Sequence, residues 1–214
     1  MAEIFLIRHG KTRGNLEARY IGARTDEPLC QQGIEELKSR KYPRADQVFV
    51  SPMKRCRETA GILYPKLEAK ECFLLRECDF GEFENHNYKE LSGNPAYQAW
   101  IDSGGTLAFP GGESAQAFQE RCQKGFALCV EEMFQTRTDR AALVIHGGTI
   151  MSILKGYARP RGEYFKWQIE NGGYYRLTLD KQQWEAEKLI LSVEKGTCSD
   201  DEMDSFSYDD RFSG

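Results

Sequence analysis

Short apolar runs and longer amphipathic segments alternate along the chain. Three runs are apolar almost throughout, namely Glu3–Ile7, Gln47–Val50 and Ala141–Ile145. Nearly continuous apolar strands are typical of a sheet that is covered on both faces. Because segments with helical spacing separate these runs, the pattern predicts an α/β fold with three layers, in which a mostly parallel sheet lies between helices.

Helix start signals stand between and after the three apolar runs. Ser51–Pro52 has the residue types of an N-cap and a first helical position, which predicts a helix ending near Leu63. Ser114 is a second N-cap candidate, for a helix over about 115–134. A shorter helix is expected over 149–156, directly after the third apolar run.

Two segments late in the chain have the composition of further strands. They are Tyr174–Leu179 and Trp184–Leu191, with Asp180–Gln183 between them as the predicted turn. The pair is therefore expected to form a hairpin that adds an antiparallel edge to the sheet.

The segment 83–113 interrupts the alternation of strands and helices, since it combines prolines and glycines with scattered aromatic residues. We interpret it as a cap insertion over one end of the sheet. Residues 199–214 are acidic and polar, which predicts a flexible tail. The rest of the chain, 1–198, is expected to form a single domain.

Composition narrows the range of partners. The chain has 214 residues, a hydrophobic content of 40% and a formal net charge of −4. An acidic balance argues against nucleic acid or a membrane surface as the partner, so an anionic substrate would need a local group of cations.

No apolar run approaches the ~20 residues of a membrane helix. Seven cysteines without a C-x-x-C pair indicate a reduced, cytoplasmic protein, expected as a monomer or homodimer.

Polar side chains stand where the predicted strands end. Arg8 and His9 follow the first strand, His146 follows the third, and Arg55 lies early in the helix after the second. Ligands of open α/β sheets bind at the carboxyl ends of the strands, so these residues are expected at one edge. Taken singly, each histidine is more simply a core residue, and Arg55 more simply a solvated partner of Glu58.

Together these residues suit a phosphate group. The guanidinium fork of arginine matches phosphate oxygens, and a phosphate monoester carries about two negative charges at neutral pH. Two arginines and one protonated imidazole would neutralise that charge, while a neutral imidazole is a capable nucleophile. The glycines that follow both histidines, Gly10 and Gly147, would allow a close approach of the ligand.

Four motifs in order carry a family resemblance. "RHGKT", "SPMKR…ETA" at 51–60, "LRECDFGEFE" at 75–84 and "VIHGG" at 144–148 resemble the histidine phosphatase superfamily, which also contains the cofactor-dependent phosphoglycerate mutases. The resemblance covers about residues 3–192. It implies that His9 is the nucleophile, that Arg8, Arg55 and His146 hold the phosphoryl oxygens, and that no metal or other cofactor is needed.

The resemblance also implies a proton donor and further binding positions. The glutamate after Leu-Arg is Glu77, with Glu82 and Glu84 as nearby rivals for the same role and Glu82 as the stronger of the two. Asn15 matches an asparagine that reaches the phosphate. Gly22, in "ARYIGARTDEPL", and Gly147 are the remaining candidate positions for binding substrate or phosphate.

The third motif and the cap sequence bear on which branch of the family the chain resembles. "LRECDFGEFEN" is similar to the phosphatase form of the motif, whereas mutases carry a form closer to "LNERHYG" and a longer basic insertion. The cap sequence, 88–114, resembles that of the α-ribazole phosphatases, which implies a nucleotide-like or sugar phosphate monoester as substrate. A mutase and a phosphate-binding member without turnover stay open as alternatives. Tyr97 and Trp100 could contact the ligand or simply pack the insertion, and Lys11 has no assigned role.

Overall fold

The structure is a computed structural model, which describes residues 1–160 and 162–196. The predicted acidic tail at 199–214 lies outside the described residues. The six strands are β1 (Ala2–Arg8), β2 (Gln47–Val50), β3 (Ala69–Glu71), β4 (Arg140–Ile145), β5 (Tyr174–Leu179) and β6 (Ser192–Lys195). The α-helices of the described residues are α1 (Arg13–Leu16), α2 (Gln31–Ser39), α3 (Lys54–Leu63), α4 (Pro95–Asp102), α5 (Ala115–Gln135), α6 (Gly147–Tyr157) and α7 (Lys181–Glu187).

The strands form one sheet in the order β3-β2-β4-β1-β5-β6. The β3-β2, β2-β4 and β4-β1 pairs are parallel, whereas β5 runs antiparallel to both β1 and β6. The sheet is therefore mostly parallel, as predicted, and β1 occupies a central position. Because β1 and β4 are parallel neighbours, Arg8 pairs with Ile145, and the residues that follow both strands meet at one edge.

Side chains alternate across the two central strands into two hydrophobic layers. Leu6 and Leu143 belong to the larger cluster, which also contains buried hydrophobic residues of α5 and α6. Ile7 and Val144 belong to the cluster on the other face, which includes Cys56 of α3. All these side chains are fully buried, so β1 and β4 have apolar residues on both faces. This arrangement explains the uninterrupted apolar runs.

The predicted hairpin is correct in its first strand and wrong in its second. Residues 181–187 form α7, because the side chain of Asp180 accepts a hydrogen bond from the backbone N–H of Gln183 and caps a helix. The indole of Trp184, which has no exposed surface, packs edge-on against Phe126 of α5. The strand that follows β5 in the chain and pairs with it antiparallel is β6, which begins at Ser192.

The helix predicted from Ser51–Pro52 begins later than expected, at Lys54, and ends at Leu63 as expected. Ser51 does not cap it, because its hydroxyl lies 2.7 Å from Nε2 of His146. The other two helices are confirmed: α5 is capped by Ser114, and α6 spans the predicted segment with one or two extra residues at each end.

Candidate active site

The carboxyl ends of β1 and β4 bring two histidines into contact. His9 follows β1, and His146 follows β4 as the N-cap of α6. Their ring centroids are 5.2 Å apart with an interplanar angle of 68°. Both side chains are buried, although His9 retains 4% of its surface. The topology of parallel strands thus places the two imidazoles as the sequence predicted.

The ring of His9 has a defined tautomer. Its Nδ1 lies 2.7 Å from the carbonyl oxygen of Gly10, which only accepts hydrogen bonds, so Nδ1 carries a proton. Burial, followed by the charges of Arg55 and Arg8, lowers the pKa of His9 well below its usual value. The imidazole is therefore neutral near pH 7 and has its lone pair on Nε2.

Arg8 extends from the end of β1 into the same region. Its Nη1 donates to the carbonyl oxygen of Ile169 at 2.6 Å, while its Nε is buried without a hydrogen-bond partner among the described residues. A Cβ atom at Gly147 would lie 3.2 Å from this Nε. Gly147, at the first turn of α6, therefore gives the Arg8 guanidinium the space that it occupies.

Arg55 is fully buried, so its interpretation as a solvated partner of Glu58 is wrong. Its Nη1 donates to Thr25 O at 2.9 Å and its Nη2 to Gly22 O at 3.1 Å. The Nε of Arg55 is the second buried guanidinium nitrogen with no partner within 1–160 and 162–196. Glu58 instead accepts from the backbone N–H of Leu29. Because carbonyls hold Arg55, its positive charge is not cancelled by a carboxylate.

Glu77 is the carboxyl group that the fold buries beside the two arginines, with 8% of its surface exposed. One oxygen accepts from Cys78 N at 3.0 Å and the other from Gly148 N at 3.3 Å. Burial raises the pKa of Glu77, against opposing contributions from these N–H groups and from Arg55 and Arg8. A carboxyl with a raised pKa is suited to donate a proton.

His146 does not provide the protonated imidazole that the sequence suggested. Burial lowers the pKa of His146 well below its usual value, with further lowering by Arg55, His9 and Arg8. The two arginines therefore supply the positive charge of the unliganded site. A bound dianion would raise both histidine pKa values by the same electrostatic argument.

Two asparagines meet beside the backbone of His9. Asn15 Oδ1 accepts from Thr12 N at 3.1 Å and from Asn171 Nδ2 at 3.2 Å, so the side-chain NH₂ of Asn15 stays available as a donor. Asn171 Nδ2 also lies within 3.1 Å of His9 O. Sequence reasoning missed Asn171. The available signal is the turn-forming "NGG" at 171–173 before β5, which indicates a loop but not the residue that the loop contacts.

The other predicted positions have structural contacts of their own. The N–H of Gly22 donates to Glu84 Oε2 at 3.1 Å, and its carbonyl holds Arg55 as described. The side chain of Glu82 is exposed, in contrast to that of Glu77. A Cβ atom at Gly10 would lie 2.7 Å from Leu37 Cδ1, so this glycine makes room for α2 and not for a ligand.

The aromatic residues of the segment 83–113 pack together. Tyr97 and Trp100 of α4 stack with centroids 6.2 Å apart, and Trp100 also packs on Phe109 at 5.1 Å. The Tyr97 hydroxyl lies 3.1 Å from the hydroxyl of Tyr20, which comes from outside this segment. These contacts favour the packing interpretation of the two aromatic residues.

Lys11 and His86 lie at the surface. Lys11 Nζ forms an ion pair with Glu36 at 2.6 Å, and His86 is exposed with Nδ1 2.9 Å from Glu84 O. Within the described part of the chain, no three His, Cys, Asp or Glu side chains are grouped so that they could hold a metal ion. None of the described helices is long and apolar enough to cross a membrane.

A neutral buried imidazole beside two guanidinium groups, at the carboxyl edge of an α/β sheet, is the type of site that phosphoryl-transfer proteins use. A sequence profile of the histidine phosphatase superfamily (branch 1) matches residues 4–191. The chain belongs to this superfamily, and it is therefore an enzyme of the phosphatase and mutase type.

Proteins similar to this chain are named either as phosphatases or as mutases. The chain is 28% identical over 209 residues to a "Probable phosphoglycerate mutase GpmB" of Salmonella typhi, a match that covers 90% of this chain and 92% of the relative. Among solved structures, the α-ribazole phosphatase of Shigella flexneri superposes with a TM-score of 0.71 at 23% identity, covering 84% of this chain and 92% of its own. A phosphoglycerate mutase of Thermus thermophilus superposes with a TM-score of 0.62 at 26% identity, covering 89% and 97%.

Proposed function

We propose that the chain hydrolyses phosphate monoesters through a phosphohistidine on His9. The observation that carries the proposal is the position of its imidazole, whose Nδ1 lies 2.7 Å from the Gly10 carbonyl oxygen and whose Nε2 is therefore left as the nucleophile. Burial and the two arginines lower the pKa of this imidazole, which favours its neutral form. The unpartnered Nε atoms of Arg8 and Arg55, both among the described residues, supply donors and charge for the phosphoryl oxygens beside it.

The proposed reaction has two steps. In the first, His9 Nε2 attacks phosphorus, the bond from phosphorus to the ester oxygen breaks, and protonated Glu77 donates its proton to the departing oxygen. In the second, the Glu77 carboxylate takes a proton from water, the resulting hydroxide attacks phosphorus, and the phosphorus–nitrogen bond breaks. Inorganic phosphate leaves, and Glu77 is protonated again.

The substrate that we propose is a small nucleotide-like or sugar phosphate, with α-ribazole 5′-phosphate as the first compound to test. The cap sequence and the fold shared with the Shigella flexneri enzyme motivate that choice. Two cations near the sequence motifs already have carboxylate partners: Lys11 pairs with Glu36, and Arg24 pairs with Asp79. These ion pairs support a substrate whose leaving group carries no second acid group.

The test is hydrolysis of p-nitrophenyl phosphate in the presence of EDTA by wild type, His9→Ala and His86→Ala. We expect His9→Ala to lose on the order of 10⁴-fold or more in kcat, because removing a nucleophile removes the covalent route. His86→Ala replaces an exposed imidazole and is expected to keep the wild-type rate. Equal rates for wild type and His9→Ala would contradict the proposal.

A phosphoglycerate mutase is the second candidate, and the name of the Salmonella typhi relative favours it. A mutase returns the phosphoryl group to an acceptor and excludes water from the phosphohistidine. Isomerisation of 3-phosphoglycerate that depends on a trace of bisphosphoglycerate would establish this activity. Stabilisation by phosphate without turnover on either assay would indicate a phosphate-binding member.

A further inference from the structure

Arg55 depends on a short loop for its position. Its two terminal nitrogens donate to the carbonyl oxygens of Thr25 and Gly22, and Nη2 also lies 3.5 Å from Ile21 O. All three acceptors belong to residues 21–25. A shift of this loop would therefore move the guanidinium that faces the phosphate in the proposed reaction.

The carboxylate of Glu84 accepts three hydrogen bonds from the same loop. Its Oε2 accepts from Gly22 N at 3.1 Å and from Thr25 Oγ1 at 2.7 Å, while Oε1 accepts from Arg24 N at 3.2 Å. The carboxylate packs directly on the loop, since a Cβ atom at Gly22 would meet Oε1 at 2.3 Å. Glu84 thus binds the N–H of Gly22 and the hydroxyl of Thr25, and the carbonyls of the same two residues bind Arg55.

Glu84 also connects this loop to the chain that carries Glu77. Its Oε1 lies 3.4 Å from Phe80 N, and the adjoining Cys78 carbonyl accepts from Ala23 N at 2.9 Å. The two segments are therefore joined at several points, and Glu84 accepts hydrogen bonds from both. A side-chain amide could not replace it, because its NH₂ would face N–H donors that need an acceptor.

From these contacts we propose that Glu84 is a positioning residue for Arg55. It acts through loop 21–25 and keeps the guanidinium aligned for the transferring phosphoryl group, without contacting the substrate. The indirect arrangement has an electrostatic advantage. A carboxylate bound directly to Arg55 would compete with the phosphate, whereas carbonyl acceptors leave the full positive charge available. This inference rests on the proposed role of Arg55 in holding phosphate.

The test compares wild type, Glu84→Gln and the matched control Glu35→Gln, in which an exposed carboxyl on α2 is replaced. We expect Glu84→Gln to lose about 10- to 100-fold in kcat, as for a small misplacement of a catalytic group. The affinity for inorganic phosphate, measured by calorimetry, should fall as well. Glu35→Gln should match wild type in both.

Two readouts separate positioning from other roles. A positioning residue should give the same fold-loss with p-nitrophenyl phosphate and with β-glycerol phosphate, whereas loss of a proton donor affects the poorer leaving group more. In an Arg55→Ala background, Glu84→Gln should add less than about a twofold loss, because the two residues act in series. An undiminished loss in that background, or wild-type phosphate affinity in Glu84→Gln, would overturn the proposal.

A variant with a smaller perturbation covers the case in which Glu84→Gln does not fold. Thr25→Val removes one hydrogen bond to Glu84 and keeps both the side-chain shape and the Thr25 carbonyl that binds Arg55. We expect a smaller loss of phosphate affinity in the same direction, and an unchanged affinity would contradict the proposal. Phosphate binding needs no turnover, so a failure of the hydrolase proposal is distinguishable from a failure of this one.

Discussion

Glu77 and His9 have pKa shifts in opposite directions, and both shifts favour the protonation states that the reaction needs. Burial raises the pKa of the Glu77 carboxyl, and burial with the two arginines lowers the pKa of the His9 imidazole. Both shifts act in the direction that lets a protonated carboxyl and a neutral imidazole coexist, which unperturbed groups would not do.

This pair leads to a prediction about leaving groups. Glu77→Gln should reduce kcat/KM, which reports formation of the phosphohistidine, by about 10²- to 10⁴-fold for β-glycerol phosphate, because the departing alkoxide needs a proton. The loss of kcat/KM with p-nitrophenyl phosphate should be much smaller, since its leaving group is stable as an anion, whereas the second step, which needs Glu77 as a base, is slowed for both substrates. The decline of kcat/KM for β-glycerol phosphate with rising pH, which follows deprotonation of Glu77 in wild type, should be absent from the variant.

An equal loss of kcat/KM on both substrates would remove Glu77 from the role of proton donor. Glu82→Gln is the informative comparison, because Glu82 was the rival acid on sequence grounds and is exposed in the structure. A strong dependence on the leaving group in Glu82→Gln would transfer the role to that residue.

At the scale of elements, α7 is the clearest difference between the predicted and the observed fold. Residues 184–191 contain Trp184, Leu189, Ile190 and Leu191, which resembled a strand because short apolar segments do not show their period. The segment is helical because Asp180 caps it and because the Trp184 side chain packs against α5. The contact of Trp184 with α5 is a tertiary interaction, which no local sequence pattern indicates.

The cap of α7 gives a stability prediction. Asp180→Ala removes the acceptor for Gln183 N and should lower the free energy of unfolding by about 1 kcal/mol. The measurement is urea denaturation, followed by the fluorescence of the tryptophans. Gln182→Ala is the control, since it keeps the cap and introduces a better helix former, and it should not be destabilised. If Gln182→Ala were destabilised and Asp180→Ala were not, the result would argue against the assigned cap.

The strand ends were predictable from sequence, whereas the contacts that complete the site were not. The apolar runs and the rule for parallel sheets are enough to place Arg8, His9 and His146 at one edge. The roles of Asn171 and Glu84 depend instead on loops that meet across more than 50 residues of chain, such as the Gly22–Glu84 contact with a separation of 62 residues. Loop geometry of this kind has no periodic signal.

At the scale of the whole molecule, the buried histidines couple stability to pH. The pKa of His146 in the folded chain lies well below its usual value, so the unfolded chain binds the proton first as the pH falls. The free energy of unfolding should therefore decrease below about pH 6.5, where unfolded histidine titrates. Each such histidine contributes up to about 1.4 kcal/mol per pH unit between the unfolded and the folded pKa.

Denaturation in urea between about pH 5 and pH 7 measures this coupling, since unfolded histidine titrates within that range. His146→Gln should have a shallower dependence than wild type by about one histidine's contribution. His86→Gln, which removes an exposed imidazole, is the matched control for the loss of a histidine. Parallel curves for wild type and His146→Gln would show that His146 takes up its proton at the same pH in the folded and the unfolded chain, against the expectation from its burial.

The central position of β1 has a consequence for the order of biosynthesis. β1 is synthesised before both of its neighbours in the sheet, β4 and β5, and the Arg8–Ile169 hydrogen bond joins residues 161 positions apart. At typical translation speeds these 161 residues take on the order of 10 to 30 s to synthesise. Until β4 has been made, both edges of this apolar strand are unpaired, which exposes the nascent chain to aggregation.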